Sequence, residues 1–366
     1  MIRKKKILVA PLDWGLGHAT RCVPVIRELL AQDGNVVIAA DGRPYDLLKR
    51  EFPTLDFIRL AGYAITYPSG DGVAGEMIRQ IPKIAFVTYQ EHRFLRKLIR
   101  EQQFDAVISD NRFGLYSSKI PCAYITHQVR IIMPRQFEWA SQLVYRLNKF
   151  TIERYSECWI PDYSGEENLS GKLSHGDPIP RNASFIGPLT RFKTLPDVKK
   201  EFDVLVVLSG PEPQRTVLEN IVMEQLKIAK LNTLFVRGIP EKSQHIKLSD
   251  SISVVSSLDS KALNTAMLTS GLIISRPGYS TIMDIAALGC KAVFIPTPGQ
   301  TEQEYLADEL ERKKLFFVQR QKNFDLPEAL KQSQNYTGFA RNEFDSSLLR
   351  DTVRRFLMRI NNNQSP

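Results

Sequence analysis

Cysteine is scarce in this chain of 366 residues, histidine is nearly as scarce, and no long apolar run occurs. The four cysteines, Cys22, Cys122, Cys158 and Cys290, are scattered and form no Cys-x-x-Cys pair, which argues against both a disulfide scaffold and a zinc site. They read as core or surface thiols and fit a reducing, cytoplasmic location. No uncharged apolar stretch reaches the roughly eighteen residues that a transmembrane helix needs. The opening Met1-Ile-Arg-Lys-Lys-Lys6 carries the charge of a signal-peptide start, but only Ile7-Leu-Val-Ala10 follows before Pro11 and Asp13, so it reads as a first strand. A basic tail is missing too. The net charge of +9 divides almost evenly, with 25 Lys/Arg against 20 Asp/Glu up to residue 185 and 24 against 20 beyond it. With no recognised binding motif beside it, that charge does not indicate a nucleic-acid reader.

What is present is ordinary globular composition, 43% hydrophobic and 24% charged, in a chain long enough for two domains. Short β-branched runs at Ile7 to Pro11, Asn35 to Ala40, Asp105 to Ser109 and Ala123 to Thr126 alternate with helical periods at Thr20 to Gln32 and Met77 to Gln102. An aromatic amphipathic helix is expected over Gln136 to Tyr155. The strand Cys158 to Ile160 and a polar Gly/Ser/Pro-rich stretch from Ser164 to Asn182 then close the first domain. A second cycle starts at Asp203-Val-Leu-Val-Val-Leu208, enters a helix near Gln214, and continues with strands at Thr233 to Val236, Ile252 to Val255, Leu272 to Ile274 and Ala292 to Ile295. Helices are expected at Tyr279 to Leu288 and Glu302 to Lys313. The fold class is therefore α/β with two doubly wound parallel sheets facing a cleft, over domains 1–185 and 186–345, with a C-terminal helix at 346–366 returning to the first domain. Such sheets bind ligands at the carboxyl ends of their strands.

Two constellations fall at such ends. In Asp13-Trp-Gly15-Leu-Gly17-His18-Ala-Thr20-Arg21, the glycines Gly15 and Gly17 allow a tight turn and close approach of a ligand to the chain. His18, at the amino end of a helix, is disfavoured as a cation, and a neutral imidazole can take a proton from a hydroxyl. A dinucleotide fingerprint would need a third glycine where Thr20 stands, although Asp41 lies about where a ribose-binding acid would be. In the second constellation, Gly278 and Ser280 open a helix whose free N–H groups suit a phosphate. Asp284 a turn later can accept both hydroxyls of a ribose, and Gln303 with Glu304 can bind several sugar hydroxyls. Asp110 with Asn111, and His127, end two further strands of the first domain.

The C-terminal block, from Gly278 through Thr281 and Asp284 to Gln303 and Glu304, resembles the donor-binding half of the family 28 glycosyltransferases, and Gly15-Leu-Gly17-His18-Ala-Thr-Arg21 resembles the start of many bacterial relatives. The resemblance implies a GT-B fold with a UDP-sugar donor and no other cofactor. It places Ser209, Gly210 and Arg191 at the diphosphate and Leu258 at the base, and Asp110, like His18 a candidate catalytic residue, resembles an aspartate found at this place in related bacterial sequences. Asp284 stands where glutamate is commoner, and Gln303-Glu304 where other members vary between Gln-Gln, Asp-Gln and similar pairs, which leaves the sugar open because this pair sits beside its hydroxyls. The metal-chelating Asp-x-Asp pair of the other large glycosyltransferase fold occurs nowhere, so an inverting, metal-independent transfer is expected.

Residues Arg79 to Arg154 hold thirteen basic and six acidic residues interleaved with aromatics. With Arg130 and Arg135, this segment is expected to meet a lipid-linked or membrane lipid acceptor at an anionic, cytoplasmic membrane surface. A UDP-sugar 2-epimerase, a dehydrogenase and a non-catalytic sugar-nucleotide binder are the competing readings.

Overall fold

The structure, a computed structural model, describes residues 3–63, 73–196, 198–239, 244–339 and 347–362. Its first sheet has seven strands: β1 (Lys6–Pro11), β2 (Asn35–Ala40), β3 (Asp56–Arg59), β4 (Ala106–Asp110), β5 (Cys122–Ile125), β6 (Glu157–Ile160) and β7 (Ala183–Phe185). They lie in the order β3-β2-β1-β4-β5-β6-β7, and every neighbouring pair is parallel. The second sheet comprises β8 (Phe202–Val207), β9 (Thr233–Val236), β10 (His245–Lys247), β11 (Ile252–Val255), β12 (Ser270–Ser275), β13 (Ala292–Phe294) and β14 (Phe317–Val318). Its order is β10-β11-β9-β8-β12-β13-β14, parallel except for the edge pair β10 and β11.

The central strands read as unbroken apolar runs because both faces are covered: Ile7, Leu8, Val9 and Ala10 are all fully buried, as are Val204, Leu205 and Val206. The helices of the first sheet are α1 (Leu16–Ala31), α2 (Gly42–Glu51), α3 (Val73–Gln102), α4 (Ser141–Ile152) and the single turn α5 (Lys172–His175). Those of the second are α6 (Gln214–Ala229), α7 (Ser260–Thr269), α8 (Tyr279–Leu288), α9 (Thr301–Arg312) and α10 (Leu326–Gln332), and α11 (Ser347–Asn362) ends the chain.

Two compact units result, dividing between Thr190 and Arg191, a few residues beyond the expected boundary. The last helix belongs to the first unit. There α11 lies against α1, Phe356 meets Trp159 edge-on with ring centroids 5.3 Å apart, and Gln32 donates to the Arg350 carbonyl at 3.0 Å. The aromatic segment differs from the single expected helix. It opens as a 3-10 turn over Arg135–Ala140 directly after Pro134 and becomes α-helical only at Ser141. No helix among the described residues is long and apolar enough to cross a membrane.

In each sheet the strand order reverses beside its first strand, between β1 and β4 in one unit and between β8 and β12 in the other. Pairs of adjacent strands whose crossovers leave in opposite directions open a crevice at their carboxyl ends, the place where doubly wound sheets bind ligands. Both sequence constellations sit at these reversals.

Candidate active site

At the first reversal, β1 runs into α1 and sets His18 in the helix's first turn, while β4 ends on Asp110. The register pairs Pro11 with Asp110, and the Leu12 N–H donates to the Asp110 carbonyl at 2.9 Å, so the two elements arrive together. His18 Nδ1 lies 2.7 Å from Asp110 Oδ1. Arg21, one turn along α1, donates through Nε to Asp110 Oδ2 at 2.5 Å and through Nη2 to Oδ1. Its Nη1 is 2.9 Å from His127 Nδ1, at the end of β5. Asp110 is fully buried and Arg21 and His127 nearly so, while the His18 side chain keeps 17% of its surface exposed.

Burial alone would raise the Asp110 carboxyl, but Arg21 and then His18 outweigh it and hold it at about 2. Burial, then Arg21, lower the His18 imidazole below its ordinary value against the opposing pull of Asp110. The direction is the one expected from the sequence, a neutral imidazole at pH 7. Its leading causes are burial and Arg21 rather than the helix end. An ionised carboxylate only accepts, so the proton of His18 sits on Nδ1 and the ring's lone pair is on Nε2. That is the arrangement of a general base oriented by a carboxylate.

The frame under this cluster is a second buried network. Arg112 pairs with Glu91 at 2.8 Å, both essentially without exposure, and donates to the carbonyls of Pro11, Ala61 and Leu60. Glu91 also accepts from Tyr63 Oη at 2.6 Å and from the Gly114 N–H at 3.0 Å. Burial raises the Glu91 carboxyl and Arg112 opposes it, while burial and Glu91 push the Tyr63 phenol upward. These bonds fix the segments that follow β1, β3 and β4. On the other side, Asn148 of α4 donates to the carbonyls of Gln128 and Val129 at 2.8 and 2.9 Å and so holds the loop that carries His127.

The other first-unit candidates divide. Gly15 and Gly17, expected near the donor, stand at the start of α1 beside His18. Asn111 is half-buried with a left-handed backbone, φ 53°, where the chain turns away after Asp110. Arg130 does not reach towards the cluster: it donates to the Asp177 carbonyl and stacks over Tyr145, 4.0 Å from its centroid. Arg135 is exposed. Asp41 is engaged by Arg59 at 2.8 Å.

At the second reversal, β8 leads into Ser209 and Gly210, β12 into Arg276 and Gly278, and β13 into Thr297. Gly210 has φ 103°, a conformation that disfavours any side chain, and a Cβ there would stand 3.9 Å from Thr297 Oγ1. Gly278 is different: its backbone is extended, and a Cβ would meet only Thr281 Oγ1, at 3.9 Å. The fold does not demand glycine here, and its bareness leaves the amino end of α8 open. Ser280, Thr281 and Asp284 share one face of α8, all half-buried. Gln303 Oε1 accepts the Thr297 N–H at 2.9 Å and Glu304 Oε1 the Gly299 N–H at 3.0 Å, so this pair shapes the loop between β13 and α9. Arg191 opens the second unit with its guanidinium 5.1 Å from the Phe192 centroid, and Leu258 is half-buried between β11 and α7.

Sequence reasoning passed over several residues that this geometry brings forward. Arg21 was part of a quoted motif, and its spacing of three from His18 on a helix was the available signal. Arg276 is fully buried and among the described residues donates only to neutral acceptors, the carbonyls of Ile295 and Pro296 at 2.9 Å and of Gln214 at 3.0 Å, with the Gln321 amide oxygen. Burial lowers its guanidinium to about 10. The hydroxyls of Ser275 and Thr297 and the Gln300 Oε1 are buried with no hydrogen-bond partner among the described residues. Buried polar atoms of this kind are few in native proteins.

Part of the basic segment is covered and part is not. Tyr145 is buried and Phe94 half-buried, but Trp139 is 81% exposed and Leu143, Leu147 and Phe150 of α4 about 60%. The three α4 residues are spaced as one helical face.

Residues 205–340 match the model of the glycosyltransferase family 28 C-terminal domain. A glycosyltransferase of Methanosarcina acetivorans, itself uncharacterised, is 27% identical over 331 residues, covering 84% of this chain and 81% of that protein. The UDP-N-acetylglucosamine--N-acetylmuramyl-(pentapeptide) pyrophosphoryl-undecaprenol N-acetylglucosamine transferase of Haemophilus ducreyi is 21% identical over 316 residues, 82% of this chain and 81% of its own length. Among solved structures, the glycotransferase of kitacinnamycin superposes with a TM-score of 0.63 at 15% identity, over 98% of this chain and 96% of its own. The chain is thus a GT-B glycosyltransferase resembling family 28.

Proposed function

We propose that the enzyme moves a sugar from a UDP-sugar to an acceptor hydroxyl in one inverting step, with His18 as general base and Asp110 as its orienting partner. The observation that carries this is the His18–Asp110 contact of 2.7 Å at the β1/β4 reversal, which commits Nδ1 and leaves the lone pair on Nε2. The acceptor hydroxyl attacks the anomeric carbon as His18 takes its proton, and the bond from that carbon to the diphosphate oxygen breaks. In the second unit the amino end of α8 at Gly278 and Ser280, the Ser209–Gly210 turn and Arg191 supply positive potential for the leaving diphosphate without a metal. Asp284 takes the ribose hydroxyls. Leu258 lies by the base, and Gln303 and Glu304 lie by the sugar, each with one oxygen already bound to backbone. The name of the Haemophilus relative supports a UDP-sugar donor and a lipid-linked acceptor. The exposed Trp139, Leu143, Leu147 and Phe150 beside basic residues support peripheral contact with an anionic, cytoplasmic membrane face.

Thermal-shift screening tests the donor class, because a ligand at about 100 times its dissociation constant adds roughly 2.7 kcal/mol to the folded state. UDP-sugars should raise the melting temperature and NAD(P) should not. Conversion of UDP-N-acetylglucosamine with no acceptor present would reassign the enzyme as an epimerase.

A further inference from the structure

Arg21 belongs to none of the roles assigned so far, yet it is the best-connected side chain of the first reversal. It is 2% exposed, binds both oxygens of Asp110, and approaches both histidines at 2.9 Å, His18 through Nη2 and His127 through Nη1. A guanidinium donates from every nitrogen and accepts at none. The two approaches therefore have different meanings.

At His127, Nδ1 faces the Nη1–H and must carry the lone pair, so the neutral ring holds its proton on Nε2. At His18, Nδ1 faces Asp110 Oδ1 as well as Arg21 Nη2. Both nitrogens bind the same Oδ1, and the 2.9 Å between them is the separation of two donors meeting on one acceptor. A lone pair on His18 Nδ1 would instead point at an anionic oxygen 2.7 Å away. His18 thus holds its proton on Nδ1, and the two rings are in opposite tautomers.

We propose that Arg21 is a positioning residue that sorts the two histidines: it anchors the Asp110 carboxylate, which gives His18 the free Nε2 lone pair of a base, and it leaves His127 able to donate from Nε2 but not to accept there. This deepens the glycosyltransferase reading and rests on it for the identity of the reaction. The sorting itself is a property of the resting protein. It also decides between two histidines that flank Asp110, one in the first turn of α1 and one just after β5, only one of which can deprotonate the acceptor. The charged and titratable groups that face His18 among the described residues are Arg21 on its own helix, Asp110 on β4 and His127 after β5, with Cys22 touching Asp110 from α1 at 3.6 Å.

The test uses the full-length enzyme with isotope-labelled histidine at neutral pH, where two-bond nitrogen–proton correlations distinguish the tautomers. His18→Gln and His127→Gln assign the signals among the five histidines. His18 should appear with its proton on Nδ1 and His127 with its proton on Nε2. Like tautomers at both, or exchange between forms at either, overturns the proposal whether or not an Arg21 variant folds. Arg21→Lys, which keeps the charge but loses the fork, should release the His127 preference and lower kcat/KM by about 10²-fold through misplacement. Arg21→Gln, which removes a cation facing His18, should move the acidic limb of the kcat/KM profile to higher pH. UDP affinity should stay unchanged in both. An unmoved limb and an unchanged His127 tautomer would make Arg21 a packing residue only. Lack of turnover by the wild type with every UDP-sugar would instead fail the functional reading and leave the tautomer result standing.

Discussion

The two reversal points of this molecule share a backbone plan and differ in what fills it. Between β1 and β4, the fully buried charges are paired: Asp110 holds His18 and Arg21, Arg21 holds His127, and just below Arg112 holds Glu91. Between β8 and β12, Arg276 has only neutral acceptors, and the Ser275 and Thr297 hydroxyls have no partner among the described residues. A self-paired cluster fixes protonation states and so suits proton transfer. A cluster of unspent donors around an uncompensated cation suits an anion, because burying positive charge without a counterpart is costly. On the proposed function, the same α/β plan separates acid–base work from phosphate work by side chains alone.

Breaking the first cluster should have the largest effect. His18→Ala removes the base, and losses of about 10²- to 10⁴-fold in kcat are usual for such a group. Asp110→Asn should act in the same range by freeing the ring to take the other tautomer. Calorimetric titration of either variant with UDP should give the wild-type affinity, since UDP is assigned to the other reversal. Weakened UDP binding in both would merge the two clusters into one function.

The second cluster is sharpened by two carboxylates. Asp284→Ala should weaken UDP binding by about 10- to 100-fold, as hydrogen bonds to a charged group contribute about 1.5–3 kcal/mol. Glu304→Ala should leave UDP binding nearly intact and raise KM for the complete donor, because Glu304 is assigned to the sugar. Equal losses of UDP affinity in the two variants would mean that the ribose site lies elsewhere on the second unit.

How much of this contrast could be read in the sequence depends on the range of the interaction. The β8–α6 and β12–α8 transitions were legible because glycine, turn residues and apolar periodicity are local signals. His18 and Asp110 were each visible at strand ends, but their 2.7 Å contact joins residues far apart in the chain and follows only from β1 lying beside β4. Arg21 closed a motif but drew no role of its own, since burial is decided by neighbours that sequence spacing does not reveal. The same is true of Arg112, counted among the surface charges of the basic segment and found fully buried on Glu91. The short β3, β7 and β14 carry too little periodicity to stand out.

The units differ on their outer surfaces as well. The first presents Trp139, Leu143, Leu147 and Phe150 along one stretch, while the exposed apolar residues of the second, such as Ile228 and Leu248, are scattered. Sedimentation with anionic vesicles should pellet the enzyme at low salt and release it as salt rises, and neutral vesicles should retain less. Arg135→Gln with Arg146→Gln should weaken the binding by roughly thirtyfold, at about 1 kcal/mol per basic residue near an anionic surface. Both side chains are exposed, whereas changing Arg130 would also cut its bond to Asp177. Equal pelleting with both vesicle types would leave this face without a lipid role.

Metal removal should have the smallest effect, and it asks whether the second cluster suffices for the diphosphate. A leaving diphosphate gains negative charge as the sugar departs, and something must meet that charge in the transition state. Metal-using transferases meet it with a cation held between carboxylates, for which this chain has no Asp-x-Asp pair. Here the amino end of α8 is bare at Gly278, and Arg276 sits just before it with no carboxylate among the described residues against its guanidinium. Arg191 adds a second guanidinium where the unit begins. Initial rates in excess chelator should therefore equal those in magnesium, and Arg191→Gln should lose affinity for UDP while binding uridine as before. Turnover abolished by chelator and restored by magnesium or manganese would overturn this account. The unspent donors of the β8/β12 reversal would then need another ligand, and the contrast between the two clusters would rest on the base alone.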